Sequence, residues 1–160
     1  MNSLIVLVSY HHKNTEKVAQ TIGKVIGAEI KSLEQADPNA LTSFDLLGFG
    51  SGIYFGKPDK KLLEFVGKLP QATGKKAFVF STSGRTGKAA AKFHQQIKEK
   101  LQSKGYELAG EFNCGGFDTY GLLKIGGGLN KGRPNEDDLK QAEAFAQAFM
   151  KGESPATFVE

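Results

Sequence analysis

Short unbroken apolar runs alternate along this chain with segments whose apolar residues recur every three or four positions, the two rhythms of buried strands and amphipathic helices. Leu4 to Val8 is the first run, and Val18, Ala19, Ile22, Val25 and Ile26 follow at helical spacing, from Asn14 or Thr15 as N-cap to a stop near Gly27. Ala28 to Leu33 reads as a short strand, with Glu29 and Lys31 alternating as at a sheet edge. Asp37-Pro38 caps a brief helical turn. Phe44 to Phe49 is the next apolar run, and it breaks into the loop Gly50-Ser51-Gly52-Ile53-Tyr54-Phe55-Gly56. Pro58 then opens a helix that buries Leu62, Leu63, Val66 and Leu69 before Pro70 and Gly74 close it. Ala77 to Phe80 is a strand ending in a third small-residue loop, Ser81 to Gly87.

Ala90, Phe93, Ile97 and Leu101 mark a further helix, stopped by Gly105, and Tyr106 to Cys114 is the last strand. A loop from Gly115 to Arg133 follows, long enough to suggest a functional role. Pro134 and Asn135 start the final helix, whose inner face is Leu139, Ala142, Phe145, Ala146 and Phe149; the tail from Gly152 to Glu160 shows no element. His94, beside Phe93, reads as an exposed polar position.

Strands alternating with helices predict an α/β fold, a doubly wound parallel sheet of five strands with helices on both faces, in one domain over residues 1–160. In such sheets ligands sit beyond the carboxyl ends of the strands, and every one of those ends except the short second carries a small, polar or glycine-containing loop.

Composition changes this picture little. With 39% hydrophobic and 24% charged residues, neither disorder nor a fibrous repeat fits. The lone Cys114 forms no internal bridge, and the first apolar run is too short for a membrane span and lacks signal-peptide flanks. The expectation is a cytoplasmic protein without membrane insertion. A net charge of +4 and a pI near 9.1 would favour acidic partners, but the lysines are spread along helix faces. They are not clustered with interleaved aromatics, so no nucleic-acid partner is expected.

The candidate chemistry begins in the turn after Val8. A buried strand running through Ser9-Tyr10-His11-His12-Lys13 into a helix points backbone N–H groups at an anion, with Asn14 and Thr15 as further donors and Lys13, His11 and His12 as positive charge. Adjacent histidines in a tight turn, with no acid or cysteine at ligand spacing, do not make a metal site. Gly87-Lys88 is followed by Ala89, so the nucleotide loop ending Gly-Lys-Ser/Thr is absent.

The stretch Tyr10-His11-His12-Lys13-Asn14-Thr15-Glu16-Lys17 is similar to the phosphate loop of the flavodoxin family, of pattern Thr/Ser-x-Thr-Gly-Asn-Thr, and the chain resembles that family in strand and loop order over nearly its whole length. The resemblance implies strand order 2-1-3-4-5 and one bound FMN. Tyr10, His11, His12, Lys13, Asn14 and Thr15 would hold the phosphate. Ser51, Gly52, Ile53, Tyr54, Phe55 and Gly56 would lie on one side of the ring, with Tyr54 or Phe55 stacked on it. Ser81, Thr82, Ser83, Gly84 and Arg85 would approach its edge through backbone groups and hydroxyls. The last loop, with Gly116, Phe117 and Asp118, would complete the site, Phe117 or Tyr120 supplying the second cover.

The departures from the family pattern are Lys13 in place of glycine, His11 and His12 in place of small residues, no aromatic after Phe80, and a basic pI. The resemblance implies an electron-transfer flavoprotein serving redox protein partners, as a monomer or weak homodimer. A glycine peptide after Phe49, at Gly52 or Gly56, would reorient on reduction, and Arg85 near the ring would ease reduction. The alternative is an FMN-dependent oxidoreductase acting between NAD(P)H and a quinone or other small acceptor. Cys114 is either reactive at the flavin edge or a small buried filler.

Overall fold

The computed structural model describes residues 1–9, 13–54, 56–116 and 131–159, and for Tyr54 and residues 87–89 the backbone alone. The strands are β1 (Ser3–Val8), β2 (Glu29–Ser32), β3 (Leu46–Tyr54), β4 (Lys57–Pro58), β5 (Lys76–Ser83), β6 (Glu107–Gly115) and β7 (Ala156–Phe158). The α-helices are α1 (Asn14–Ile26), α2 (Lys60–Gly67), α3 (Gln95–Ser103) and α4 (Glu136–Met150), with 3-10 segments over Pro38–Ser43 and Gly87–His94.

The sheet runs β2-β1-β3-β5-β6-β7, parallel throughout, with β4 pairing antiparallel to β3. With β4 and β7 set aside, the remaining five strands, counted in chain order, stand in the expected 2-1-3-4-5 order. The described sheet has seven strands where five were expected: β4 turns back on the end of β3, and the tail is not featureless, since β7 pairs Ala156, Thr157 and Phe158 with Glu111, Phe112 and Asn113. Three residues are too few for a periodic signal, and only the open edge of β6 makes them a strand.

Alternation along the strands sorts the core into two layers. Leu4, Val6, Val8, Leu47, Phe49 and Val79 meet Leu62, Phe65, Val66, Ile97 and Leu101 from α2 and α3. Ile5, Leu7, Phe78, Phe80 and Phe112 meet Val18, Ala19, Ile22, Ala142, Phe145 and Ala146 from α1 and α4. Each fully buried aliphatic or phenyl side chain contributes about 2 kcal/mol to this packing.

Two of the sequence-level boundaries move for packing reasons. β3 continues through Gly50 to Tyr54, where a loop was expected, because the Phe78 and Phe80 rings of β5 lie over Gly48 and Gly50 in the space a Cβ would occupy. The glycines are therefore sheet residues that admit a neighbour's ring. Pro58 lies in β4 and does not open α2; Asp59 caps that helix, its carboxylate accepting from the Lys61 amide at 2.8 Å.

Candidate functional site

The carboxyl ends of β1, β3, β5 and β6 lie side by side through their register, with Val8 opposite Ser51, Ser51 opposite Ser81, and Ser83 opposite Gly115. α1 begins just beyond β1. Its N-cap is Lys13, one residue earlier than expected, and Lys13 is exposed with a left-handed backbone, φ 50°. Its side chain makes no capping bond. The first-turn N–H groups of α1 stand at the helix's positive end, the kind of position that receives an anion. Lys13 also stands at the position where the family pattern has glycine, and a left-handed residue costs glycine little.

Thr15 is buried, and its hydroxyl lies 2.9 Å from that of Thr82 on β5. Gly116 closes the gap from β6: its amide donates to the Ser83 carbonyl at 3.0 Å, and a Cβ there would stand 2.9 Å from Asn14 Nδ2 and 3.1 Å from Thr82 Cβ. The helix start, the end of β5 and the end of β6 therefore meet around one glycine. At β3 the Ser51 hydroxyl donates to the Gly52 carbonyl at 2.7 Å and accepts from the Asp59 amide at 3.2 Å. Gly52 and Ile53 are half-buried, and Ile53 and Tyr54 pair with Pro58 and Lys57 in a hairpin whose turn contains Gly56 at φ 75°.

Of the residues expected to bind, Lys13, Asn14, Thr15, Ser51, Gly52, Ile53, Gly56, Ser81, Thr82, Ser83, Gly84, Arg85 and Gly116 are at this carboxyl edge. Thr15, Ser51, Ser81, Thr82, Ser83 and Gly116 are buried there, Gly84 is half-buried, and Arg85 is exposed. Tyr54 is placed by its backbone. Tyr10, His11, His12, Phe55, Phe117, Asp118 and Tyr120 lie outside the described residues.

The hydroxyls of Ser81 and Ser83 are occupied internally. Ser81 Oγ is 2.6 Å from His94 Nε2 and accepts from Asn113 Nδ2 at 2.8 Å. Ser83 Oγ accepts from the same amide at 3.1 Å and donates to the Arg85 carbonyl. What these residues offer a ligand is mainly backbone.

His94 is fully buried, which corrects its reading as an exposed position. With Ala90, Ile97 and Leu101 it stands at helical spacing on the one buried stripe, the signal that would have found it. Glu111, Lys98 and Asn113 gave less warning. A β-bulge sets Ala77 opposite Leu108 but Phe78 opposite Gly110, so Ala109 is extra and the in-out alternation of β6 reverses beyond it. Phe112 and Cys114 then face α4, in the same layer as Ala109. Burial acts to raise the Glu111 carboxyl, but hydrogen bonds from His94 and Lys98 outweigh it and hold the group below its ordinary value.

Cys114 is fully buried, and burial, reinforced by the charge of Asp138, pushes its thiol far above the ordinary range. That environment suits a filler and not a nucleophile. Arg133, also unanticipated, closes the long loop: its Nε donates to Asp138 Oδ2 at 2.9 Å, and its guanidinium covers Gly115 where a Cβ would stand 2.6 Å from Cζ. Asn135 and Asp138 form a reciprocal capping box at the start of α4.

Residues 5–122 match the family model described as Flavodoxin domain. An uncharacterized protein of Methanocaldococcus jannaschii is 48% identical over 151 residues, covering 94% of this chain and 99% of that protein. The chain belongs to the flavodoxin family. Solved flavodoxins share its fold at lower identity. Oxidised flavodoxin 2 from Bacillus cereus matches with a TM-score of 0.74 at 20% identity, over 95% of this chain and 99% of that one. The Fusobacterium nucleatum flavodoxin bound to flavin mononucleotide matches with a TM-score of 0.66 at 12% identity, over 96% and 99%. In this flavodoxin-family chain no helix among the described residues is long and apolar enough to cross a membrane.

Proposed function

We propose that this chain binds FMN at the carboxyl edge of its sheet and carries electrons between redox protein partners. The observation that supports it most is the meeting of Asn14, Thr15, Thr82 and Gly116 around the start of α1. An anion there is held by backbone N–H groups, while a Cβ at Gly116 would fill the space between the phosphate turn and the end of β5. The donor set fits a phosphate monoester: helix amides, the Asn14 side chain and the Lys13 ammonium, with His11 and His12 adjoining in sequence.

Bound FMN would supply one- and two-electron chemistry, and the protein would supply its position and electrostatics. Lys13 and the start of α1 would fix the phosphate end. The β3–β4 hairpin would flank the ring through Gly52 to Gly56. Gly52 is held in the ladder opposite Thr82, whereas Gly56 sits in the turn at φ 75° with open space at its Cβ position. Gly56 would therefore be the residue beside the ring whose backbone could change conformation. Arg85, exposed beyond β5, would add positive potential and ease reduction. The net charge of +4 would suit partners with acidic docking faces, and the carrier would act in the cytoplasm as a monomer or weak homodimer.

An absorption spectrum of the purified protein, repeated during stepwise reduction, tests the reading. Flavin bands that bleach reversibly are expected. A colourless protein unable to take up added FMN would overturn it, and steady NAD(P)H oxidation with a quinone, without a separate reductase, would replace the carrier by an oxidoreductase.

A further inference from the structure

Behind the flavin edge lies a buried chain of polar groups centred on His94. Its Nδ1 is 3.0 Å from Glu111 Oε2, and Lys98 Nζ is 3.0 Å from the other oxygen of that carboxylate. Its Nε2 faces Ser81, which leads through Asn113 and Ser83 to the Arg85 carbonyl. The ring of Phe158 on β7 packs with a centroid separation of 6.0 Å. The charged groups that meet the imidazole are Glu111 from β6 and, through that carboxylate, Lys98 from α3. β5 and β7 bring Ser81 and Phe158, both neutral.

Counting hydrogens fixes the direction of the chain. An ionised Glu111 only accepts, so His94 Nδ1 carries a hydrogen. The Asn113 amide gives its two hydrogens to Ser81 and Ser83, and Ser83 gives its own to the Arg85 carbonyl. Among the described residues Ser81 then has one acceptor left for its hydrogen, a bare His94 Nε2. A protonated imidazole would aim Nε2–H at the oxygen that already receives the Asn113 amide, and the Ser81 hydrogen would lose its acceptor in a buried place. Asn113 Oδ1, buried and without a partner among the described residues, is the acceptor that a turn of the amide would bring to Ser81. That turn removes the amide hydrogen from Ser83.

We propose that His94 is a positioning residue for the loop after β5: neutral and held by Glu111, it orders Ser81, Asn113 and Ser83 so that Ser83 pins the Arg85 carbonyl, and its protonation reverses that order and loosens the loop. The proposal rests on the reading that this loop borders the flavin. The same device reaches the β6 loop, because Ser83 also accepts the Gly116 amide through its carbonyl. It makes cofactor affinity fall in acid through a residue that touches no cofactor atom.

Two measurements test it. In isotopically labelled protein without cofactor, the neutral His94 imidazole is expected to show the Nδ1–H tautomer, and the Gly84 to Thr86 amides to shift in an acid titration. The Nε2–H tautomer, or loop amides indifferent to that titration, would overturn the relay. FMN dissociation constants are then compared for wild type, His94→Gln and Ser81→Ala over a series of pH values from neutral into acid. Wild type should weaken by about tenfold more than either variant across that range, the worth of roughly one hydrogen bond. The FMN phosphate and every other titratable group are common to all three proteins, so a difference between their profiles belongs to His94 and its Ser81 contact. Parallel profiles would sink the proposal. Wild-type protein that takes up no FMN at any pH would overturn the flavin reading instead, and the imidazole and loop resonances would still decide the relay.

Discussion

The start of α1 and the cluster around His94 lie on the same edge of the sheet and are built on opposite principles. At α1 the working groups are backbone amides of consecutive residues, presented by an exposed Lys13 in a left-handed turn. Around His94 they are side chains from β5, α3 and β6, separated by 13 to 32 residues along the chain and buried beneath β7. A local arrangement of this kind tolerates changes of side chain because the helix backbone supplies its polar groups. A network of buried polar atoms tolerates few, because each lost partner leaves another group unsatisfied.

The largest expected effect is on the network. His94→Leu removes the partner of both Ser81 and one Glu111 oxygen, and denaturant unfolding should show a loss of about 3 kcal/mol, two buried hydrogen bonds at the upper end of their usual cost. A loss below about 1 kcal/mol would place His94 with the tolerant region. Gly116→Ala probes the joint between the two. Its Cβ would press on Asn14 and Thr82, and a cost of about 1–2 kcal/mol, with weaker FMN uptake, is expected from the overpacking.

Lys13→Gly sharpens the comparison in the other direction. Removing a side chain from φ 50° should stabilise the protein by up to about 1 kcal/mol, while FMN binding becomes less sensitive to salt because a cation has gone. Unchanged salt sensitivity would mean that backbone amides carry the phosphate without Lys13. The smallest effect lies in acid. The Glu111 carboxyl is depressed in the folded state, so its contribution is complete above the unfolded value and disappears as pH falls through the folded one. Stability should therefore fall more steeply below about pH 4.3 in wild type than in Glu111→Gln, as followed by thermal unfolding against pH.

The residues that were legible beforehand share a physical property with α1: their signal is contained in neighbouring positions. The Leu4–Val8 run, the periodicity of α1 and the small residues ending β3 and β5 each state their element within about one turn or strand of sequence. They placed Asn14, Thr15, Thr82 and Gly116 at one edge. Gly48 and Gly50 looked different in structure because a strand glycine that admits a phenyl ring from the next strand has the same letter as a loop glycine.

The sequence by itself determined the order of elements, the two apolar faces of the sheet and the helix start that follows β1, because those depend on contacts and hydrogen bonds along short stretches of backbone. Only the tertiary structure decided that His94 is buried, that a bulge at Ala109 turns Glu111 and Asn113 toward it, and that the tail returns as β7 to cover it. Those facts depend on register between strands that are distant in the chain, and a shift of one residue exchanges one face of a strand for the other.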